Sequence, residues 1–456
     1  MEELIIVGAG LSGLASAHFL ESMGYPHQPL LLEASSRPGG VIRSFCERGY
    51  LAEWGPHGFL DNNPASRRLL AETGLEKEAL KAPLASNVRY LCHRGKLTPL
   101  PQNPLALLKT PLLSLGGKLR LAAEIFQPPL DEGHSVEQWA AHRFGPGVLP
   151  MVDAAVTGTF AGDYRKLSID AVMPGARRLE REYGSLLRGL IKERKEKGKG
   201  GGKGLPAMTS FPLGMEHLVK RLSHKRRINF NCPVDKITPD PVAGGGWELS
   251  GATGSLRCKR VILALPVNQA LKLLAAFTPP VAAVPEARIA TVALGFAADG
   301  ATLPPGFGYL APEREGRFTL GALFSSNMFP QRAPEGHLLL EALAGGRRHP
   351  QRLELDDQSL IDNIYHDLRQ LLPLTAPPVF TRVLRGGGIP QLEKDHPRLL
   401  AWRDNLARHH PELILTGFGW DGIGMNDMMK AAEQSAKNLL EGSGLREEEA
   451  VRPVYF

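Results

Sequence analysis

An apolar run that ends on a glycine turn, at the start of the chain, limits what this sequence can fold into. Leu4, Ile5, Ile6 and Val7 carry no polar residue among them, as expected of a parallel strand buried on both faces. Gly8, Ala9, Gly10, Leu11, Ser12 and Gly13 come next in G-x-G-x-x-G spacing. Leu14 to Met23 reads as a helix with Leu14, Ala17 and Leu20 on one side, and Leu30 to Leu32 as a second strand closed by Glu33. Each position has a purpose if a dinucleotide binds. Gly8 permits the tight turn, Gly10 lets the backbone approach a pyrophosphate, and Gly13 lets the helix pack close to the strand. The helix N-terminus offers unpaired N–H groups to the phosphates. Glu33 lies about 20 residues past Gly13, where the acid that accepts ribose hydroxyls is expected. A glycine turn alone is weak, because structural glycine turns are common; here strand, helix and acid all agree.

The residues after Glu33 separate nicotinamide from flavin. Ala34 leads into Arg37, Pro38, Gly39 and Gly40, then Val41, Ile42, Arg43 and Ser44. This E-x-x-x-R-x-G-G stretch resembles the extended fingerprint of FAD enzymes of the amine oxidase class. Read from the residues alone, Gly39 and Gly40 mark a second place where backbone approaches a ligand closely.

At 456 residues the chain exceeds one hydrophobic core, so two or three domains are expected. A net charge of +7 is modest for this length. It suits acidic small molecules or an anionic membrane surface and lacks the concentrated basic block of a nucleic-acid binder. Cys46, Cys92, Cys232 and Cys258 are far apart with no C-x-x-C, so reduced thiols are expected, with neither a metal site nor a disulfide framework. The fingerprint begins at the N-terminus and no run of about 18 apolar residues occurs, so neither a signal peptide nor a transmembrane helix is expected.

Further along, Gly55, Pro56, His57 and Gly58 read as a turn, with His57 taken as a loop histidine in preference to a catalytic one. Asp61-Asn62-Asn63-Pro64 caps a helix over 65–73. Strands over 88–93 and 96–100 flank Arg94-Gly95, and Arg89 alone reads as a solvated charge. Pro104 to Leu130 is proline-rich and apolar with spaced cations. It fits either ordinary core helices or a monotopic surface that dips into one leaflet. Thr157 to Asp163 reads as a glycine loop, and Leu179 to Ile191 keep helical spacing through Arg194. Lys195 to Gly204 is a cationic, glycine-rich linker. Short strands are expected over 229–234, 247–249 and 256–265. Strands from Ile289 to Leu343 suggest a separate mixed sheet. Leu413 to Thr416 is the last strand, succeeded by a glycine loop and a helix from Met428. The N-terminus of that helix is placed to stabilise negative charge.

Taken together the chain resembles the protoporphyrinogen oxidase family, from the N-terminus to about Leu440. The stretches that carry it are GAGLSGLASAHFL, EASSRPGGVIRS, EWGPHGFL, VRYLCHRGKLTPLP, TGTFAGDYRKLSIDAVMP, GIPQLEKDH and GFGWDGIGMNDMMKAA. The resemblance implies an α/β fold: a Rossmann-like FAD-binding domain from 1–80, 211–275 and 401–456, a mixed-sheet substrate domain over 276–400, and a mostly helical, membrane-facing insertion over 81–210. It implies FAD contacts at Gly8 to Gly13, Glu33, Ala34, Arg37, Gly40, Val41, Gly55 to Gly58, Val234, Ile423, Gly424 and Met425. It implies that Arg89 pairs with a substrate propionate, where a guanidinium fork fits a carboxylate, and that Gly158 faces the tetrapyrrole.

The implied reaction is six-electron oxidation of protoporphyrinogen IX. In each of three rounds a hydride passes to the flavin, an N–H proton is lost, and oxygen is reduced to hydrogen peroxide. No catalytic acid or base stands out, so positioning and desolvation are expected to carry the chemistry. The expected location is the cytoplasm, peripheral on the inner face of the cytoplasmic membrane, with a homodimer by analogy and no nucleic-acid partner. Two enzyme readings compete: coproporphyrinogen III oxidation, and an amine or carotenoid oxidoreductase on the same fold. A binding protein without redox chemistry is a third.

Overall fold

The computed structural model describes residues 1–83, 88–196, 207–240, 245–275, 278–279 and 281–441. The cationic linker therefore lies almost wholly outside the described residues. Among those described, one sheet has seven strands. Leu30–Leu32, Glu2–Val7 and Gly254–Ala264 run parallel at its centre, and Arg227–Asn229 extends it beyond Leu30–Leu32. Gly254–Ala264 pairs with Trp247–Gly251 through its first half and with Leu413–Thr416 through its second. The helices Leu11–Ser22 and Met425–Glu441 cover one face through Leu14, Phe19, Met429 and Ala436. Val267, Leu274, Leu399 and Leu406 cover the other. A strand with cover on both faces must be apolar throughout, which is why Leu4 to Val7 carry no polar side chain.

The second sheet also has seven strands. Its order is Phe380–Arg385, Ile289–Ala297, His337–Gly345, Gly321–Leu323, Gly308–Leu310, Arg89–His93 and Lys96–Pro99. Gly308–Leu310 and Arg89–His93 pair parallel and the other neighbours antiparallel, so the sheet is mixed as expected. Arg94 and Gly95 have φ of +53° and +71°, matching the two-residue hairpin read from the sequence. Parallel pairing sets Arg89 opposite Gly308, which fixes where this arginine stands.

Residues 104–196 are mostly helical. They are tied together by a buried ion network. Arg143 bonds Glu180 and lies 3.2 Å from Glu124, while Arg177 bonds both Glu180 and Asp170. The Trp139 indole N–H donates to Glu180 at 2.9 Å. No helix among the described residues is long and apolar enough to cross a membrane.

Several expectations are corrected. The segment read as a glycine loop from Thr157 is helical through Phe160, as the last turn of Leu149–Phe160. Gly158 sits within that helix because a Cβ there would lie 2.7 Å from a Leu310 methyl, so the glycine brings helix and sheet into contact. The helix read as continuous through Arg194 breaks at Gly184, whose φ of +70° ends Pro174–Tyr183 before Leu186–Glu196 begins. The strand expected over 229–234 stops at Asn229, since Asn231 takes φ +52° and Pro233 has no N–H to donate. Both terminal helices start three residues earlier than read, at Leu11 and Met425.

Candidate functional site

A cavity of about 1430 Å³ runs from the glycine turn of the first sheet to the face of the second. It exceeds the roughly 300–1,000 Å³ of a pocket for one drug-sized ligand, and so has room for a dinucleotide and a second molecule. Its first wall begins at the turn. Gly8 has φ +99°, and a Cβ there would meet the Ala264 carbonyl at 2.7 Å. A Cβ at Gly13 would lie 1.9 Å from the Gly8 carbonyl oxygen, so the helix rests directly on the turn. Gly10 is different: a Cβ there meets no protein atom within 4 Å and points into open space. The helix Leu11–Ser22 has no side-chain cap, leaving its first N–H groups to a ligand.

That contrast predicts two separable outcomes. Gly13→Ala disturbs the apoprotein itself, seen as a lowered urea midpoint. Gly10→Val leaves the apoprotein midpoint unchanged and yields protein without bound flavin, read from its visible spectrum.

Glu33 closes its strand with its carboxylate aimed back at the turn. It accepts the Ala9 N–H at 2.9 Å and the Ser35 N–H and hydroxyl at 2.9 and 2.7 Å. Gly39 and Gly40 have φ of +105° and +56°, and the Gly39 N–H donates to the Ala9 carbonyl, binding the second glycine turn to the first. Arg37 donates to the carbonyls of Pro38, Gly40 and Ile42. Its guanidinium holds the shape of this turn.

The opposite wall belongs to the second sheet and the helix Leu149–Phe160. Arg89 stands over the Phe307 ring at 5.3 Å and has no acidic or hydrogen-bonding side-chain partner among the described residues. Its side chain is exposed to the cavity, and the protein packed around it desolvates the guanidinium and pushes it below the usual value. Tyr90, Leu100, Met151 and Leu310 line the same cavity. Gly55, Pro56 and His57 complete the wall where the two units meet, and the His57 Nε2 lies 3.2 Å from the buried Glu341 carboxylate.

Most residues singled out in the sequence converge on this cavity. Gly8, Gly10, Leu11, Ser12, Glu33, Ala34, Arg37, Gly40, Val41, Gly55, Pro56, His57, Arg89, Gly158, Val234, Ile423 and Met425 line it. Ala9, Gly13, Gly58 and Gly424 stand behind the lining. Ala9 is buried beneath Glu33, Gly13 against Gly8, Gly58 against the Thr209 carbonyl, and the Gly424 N–H is bonded to Asp427. Several lining groups escaped the sequence reading. Arg43 stacks over Trp54 at 4.5 Å, and Phe307 and Gly386 to Gly388 also face the space. The run of three glycines before Ile389 was a usable signal for the last of these. Arg43 closely follows the second glycine pair, which was its signal, whereas Phe307 carried none, because only sheet pairing brings it here.

The chain matches the sequence profile of flavin containing amine oxidoreductases over residues 11–439. It is 26% identical to coproporphyrinogen III oxidase of Bacillus subtilis (strain 168), across 96% of this chain and 98% of that protein. It is 30% identical to chloroplastic protoporphyrinogen oxidase of Oryza sativa subsp. japonica, across 96% of this chain and 88% of that one. The Homo sapiens protoporphyrinogen oxidase is also 30% identical, across 96% and 98%. A crystal structure of an Exiguobacterium sp. 255-15 protein superposes with a TM-score of 0.81 at 22% identity, covering 96% of this chain and 99% of the other. Reduced UDP-galactopyranose mutase superposes at 0.72 with 17% identity, covering 98% and 95%. These two establish the fold. The open space at Gly10, the uncapped helix and the cavity's size fit FAD as cofactor. With its profile match running from Leu11, where the first helix leaves the glycine turn, to Leu439 in the C-terminal helix, the chain belongs to the flavin containing amine oxidoreductase family.

Proposed function

We propose that this protein oxidises a porphyrinogen, with protoporphyrinogen IX preferred to coproporphyrinogen III. The observation that carries the reading is Arg89, a cation without an acidic partner among the described residues, seated on Phe307 in an otherwise apolar wall. A guanidinium so placed accepts one carboxylate in two parallel bonds. Apart from His57, the cavity's cations among the described residues are Arg37, Arg43, Arg89 and Lys272. Arg37 is committed to its own turn, and Lys272 lies on the helix Val267–Leu274 beside the first sheet. That leaves few charges for a substrate with four propionates and suits one with two. The names of the relatives point to the same class of substrate.

In this reading FAD supplies the two-electron acceptor, with oxygen as the terminal oxidant. The protein's own part is placement. The turn from Gly8 to Gly13 and the helix end at Leu11 hold the pyrophosphate, Glu33 and Ala34 take the ribose, and Val234 borders the adenine. Val41, Gly55 to Gly58 and Ile423 to Met425 hold the flavin end. Arg89 anchors one edge of the substrate, while the close approach of Leu310 to Gly158 narrows the slot in which the macrocycle lies flat. Apolar walls exclude water from the reacting carbon.

The insertion adds a proposed contact with a bilayer. Leu105, Leu108, Leu115, Leu119 and Phe126 are all more than half exposed, beside Lys109 and Lys118. Apolar groups with flanking cations suit the surface of an anionic leaflet. The double variant Leu115→Glu/Leu119→Glu loses at least about tenfold in partition onto phosphatidylserine vesicles in a sedimentation assay, since each buried leucine contributes roughly 1.5–3 kcal/mol. Unchanged partition removes the membrane proposal.

Aerobic turnover of protoporphyrinogen IX beside coproporphyrinogen III, monitored by porphyrin fluorescence, tests the substrate. A higher kcat/KM for protoporphyrinogen is expected. Preference for coproporphyrinogen reverses the substrate assignment, and activity on neither by flavin-loaded protein sinks it.

A further inference from the structure

Four ionisable side chains meet where the two units touch behind the cavity. Glu53 ends the strand Tyr50–Glu53, Glu341 lies within His337–Gly345, Arg332 precedes that strand, and His57 is in the Gly55–Gly58 loop. Glu53, Glu341 and Arg332 are buried almost completely. Glu341 accepts the Glu53 N–H at 2.9 Å and the Ser325 hydroxyl. Glu53 accepts the Ser44 hydroxyl at 2.7 Å and the Met215 N–H at 3.0 Å, and meets Arg332 at 2.6 Å. Arg332 also donates to Ser210 at 2.6 Å.

Two carboxylates against one guanidinium leave one negative charge in a place nearly closed to water, which is costly. A proton on the cluster removes the imbalance. Burial pushes the Glu53 carboxyl above its ordinary value, so Glu53 competes for that proton. Yet its three neighbours all donate to it, and donors favour the ionised form. His57 has the opposite surroundings. Burial lowers its proton affinity, but the charges of Glu341 and Glu53 outweigh that and hold it above the usual histidine range. Its Nε2 faces Glu341. That contact is an ion pair without hydrogen-bond geometry at Nε2. The side chain is partly exposed, and the residue lines the cavity.

We propose that Glu341 holds His57 as an imidazolium whose positive charge faces the bound flavin and stabilises the negative charge the flavin takes up on reduction. Glu341 acts as a positioning residue and His57 as the fixed charge, set before reaction in a site poor in water. The proposal rests on FAD occupying the cavity and needs no porphyrinogen, so its failure and that of the substrate assignment are separate.

The test is the reduction potential of the bound FAD, measured by equilibration with a reference dye. H57Q shifts the reduced-to-oxidised ratio at fixed dye poise at least tenfold toward oxidised, equal to about 30 mV for a two-electron couple. H57R restores the charge and the wild-type potential. An unchanged potential in FAD-loaded H57Q overturns the proposal. Should H57Q fail to retain FAD, the wild type decides. Glu341, Glu53 and Arg332 are the charged groups that face His57, and the charges of the two carboxylates hold its proton above the usual histidine range. Loss of its proton steepens the fall of potential with pH above about pH 6.5, whereas ionisation of the reduced flavin makes that fall shallower. A plot with no steepening up to about pH 9 overturns the proposal.

Discussion

Arg89→Ala lowers kcat/KM for protoporphyrinogen by roughly 30- to 5,000-fold while leaving bound flavin at full occupancy. The range corresponds to about 2–5 kcal/mol for removing one partner of a desolvated charge pair. The loss falls within this range because no acidic side chain among the described residues competes for Arg89, whose described side-chain contact is the Phe307 ring. Arg89→Lys recovers part of the loss, since an ammonium restores the charge without the two parallel bonds. Steady-state kinetics with fluorescence detection, alongside the visible spectrum of each variant, checks both. An Arg89→Ala enzyme with wild-type kcat/KM removes the propionate anchor and with it the main support for the substrate.

Glu180→Ala destabilises the fold by about 3–5 kcal/mol, because it removes the carboxylate that Arg143 and Arg177 share and leaves their two charges to Glu124 and Asp170 alone in a closed interior. Arg143, Glu124 and Glu180 are fully buried, so water cannot take over. The urea midpoint of the apoprotein measures the loss, and a midpoint within error of the wild type contradicts it. The same network sets an acid limit. Burial pushes the Glu180 carboxyl up, but bonds from Arg143 and Trp139 and the charges of Arg143 and Arg177 outweigh it and hold it below 4.5. A folded-state value below the unfolded one means this contribution is present above about pH 4.5 and is lost as pH falls through the lower, folded value. Glu180→Gln flattens that acid limb in unfolding curves measured from about pH 3 to 6.

Much of the cofactor wall was legible because its constraints are local. Gly8, Gly10 and Gly13 each answer to a backbone demand within a few residues, and the structure assigns them turn, open approach and helix contact in that order. Glu33 was placed by counting along one strand–helix–strand unit. The hairpin about Arg94-Gly95 is likewise local and stands as read, and within the capping stretch 61–64 it is Asn63 that accepts the Ala65 N–H. The reading failed where distant contact overrides local signals. Gly158 and Gly162 looked like loop glycines, yet Gly158 lies in a helix because Leu310 presses on it from another strand. His57 looked like an ordinary loop histidine, and its meaning depends on Glu341, far along the chain.

The sequence by itself determined the dinucleotide turn, the parallel strand order that begins there and the flavin class, since glycine freedom and apolar periodicity act over short stretches. Only the tertiary structure decided which surface faces the cofactor. Parallel pairing with Gly308–Leu310 brings Arg89 to the cavity, and packing of the second sheet on the first brings Glu341 to His57. Neither contact leaves a trace in residue spacing, because both join side chains through the packing of separate elements, and burial then gives each charge its weight.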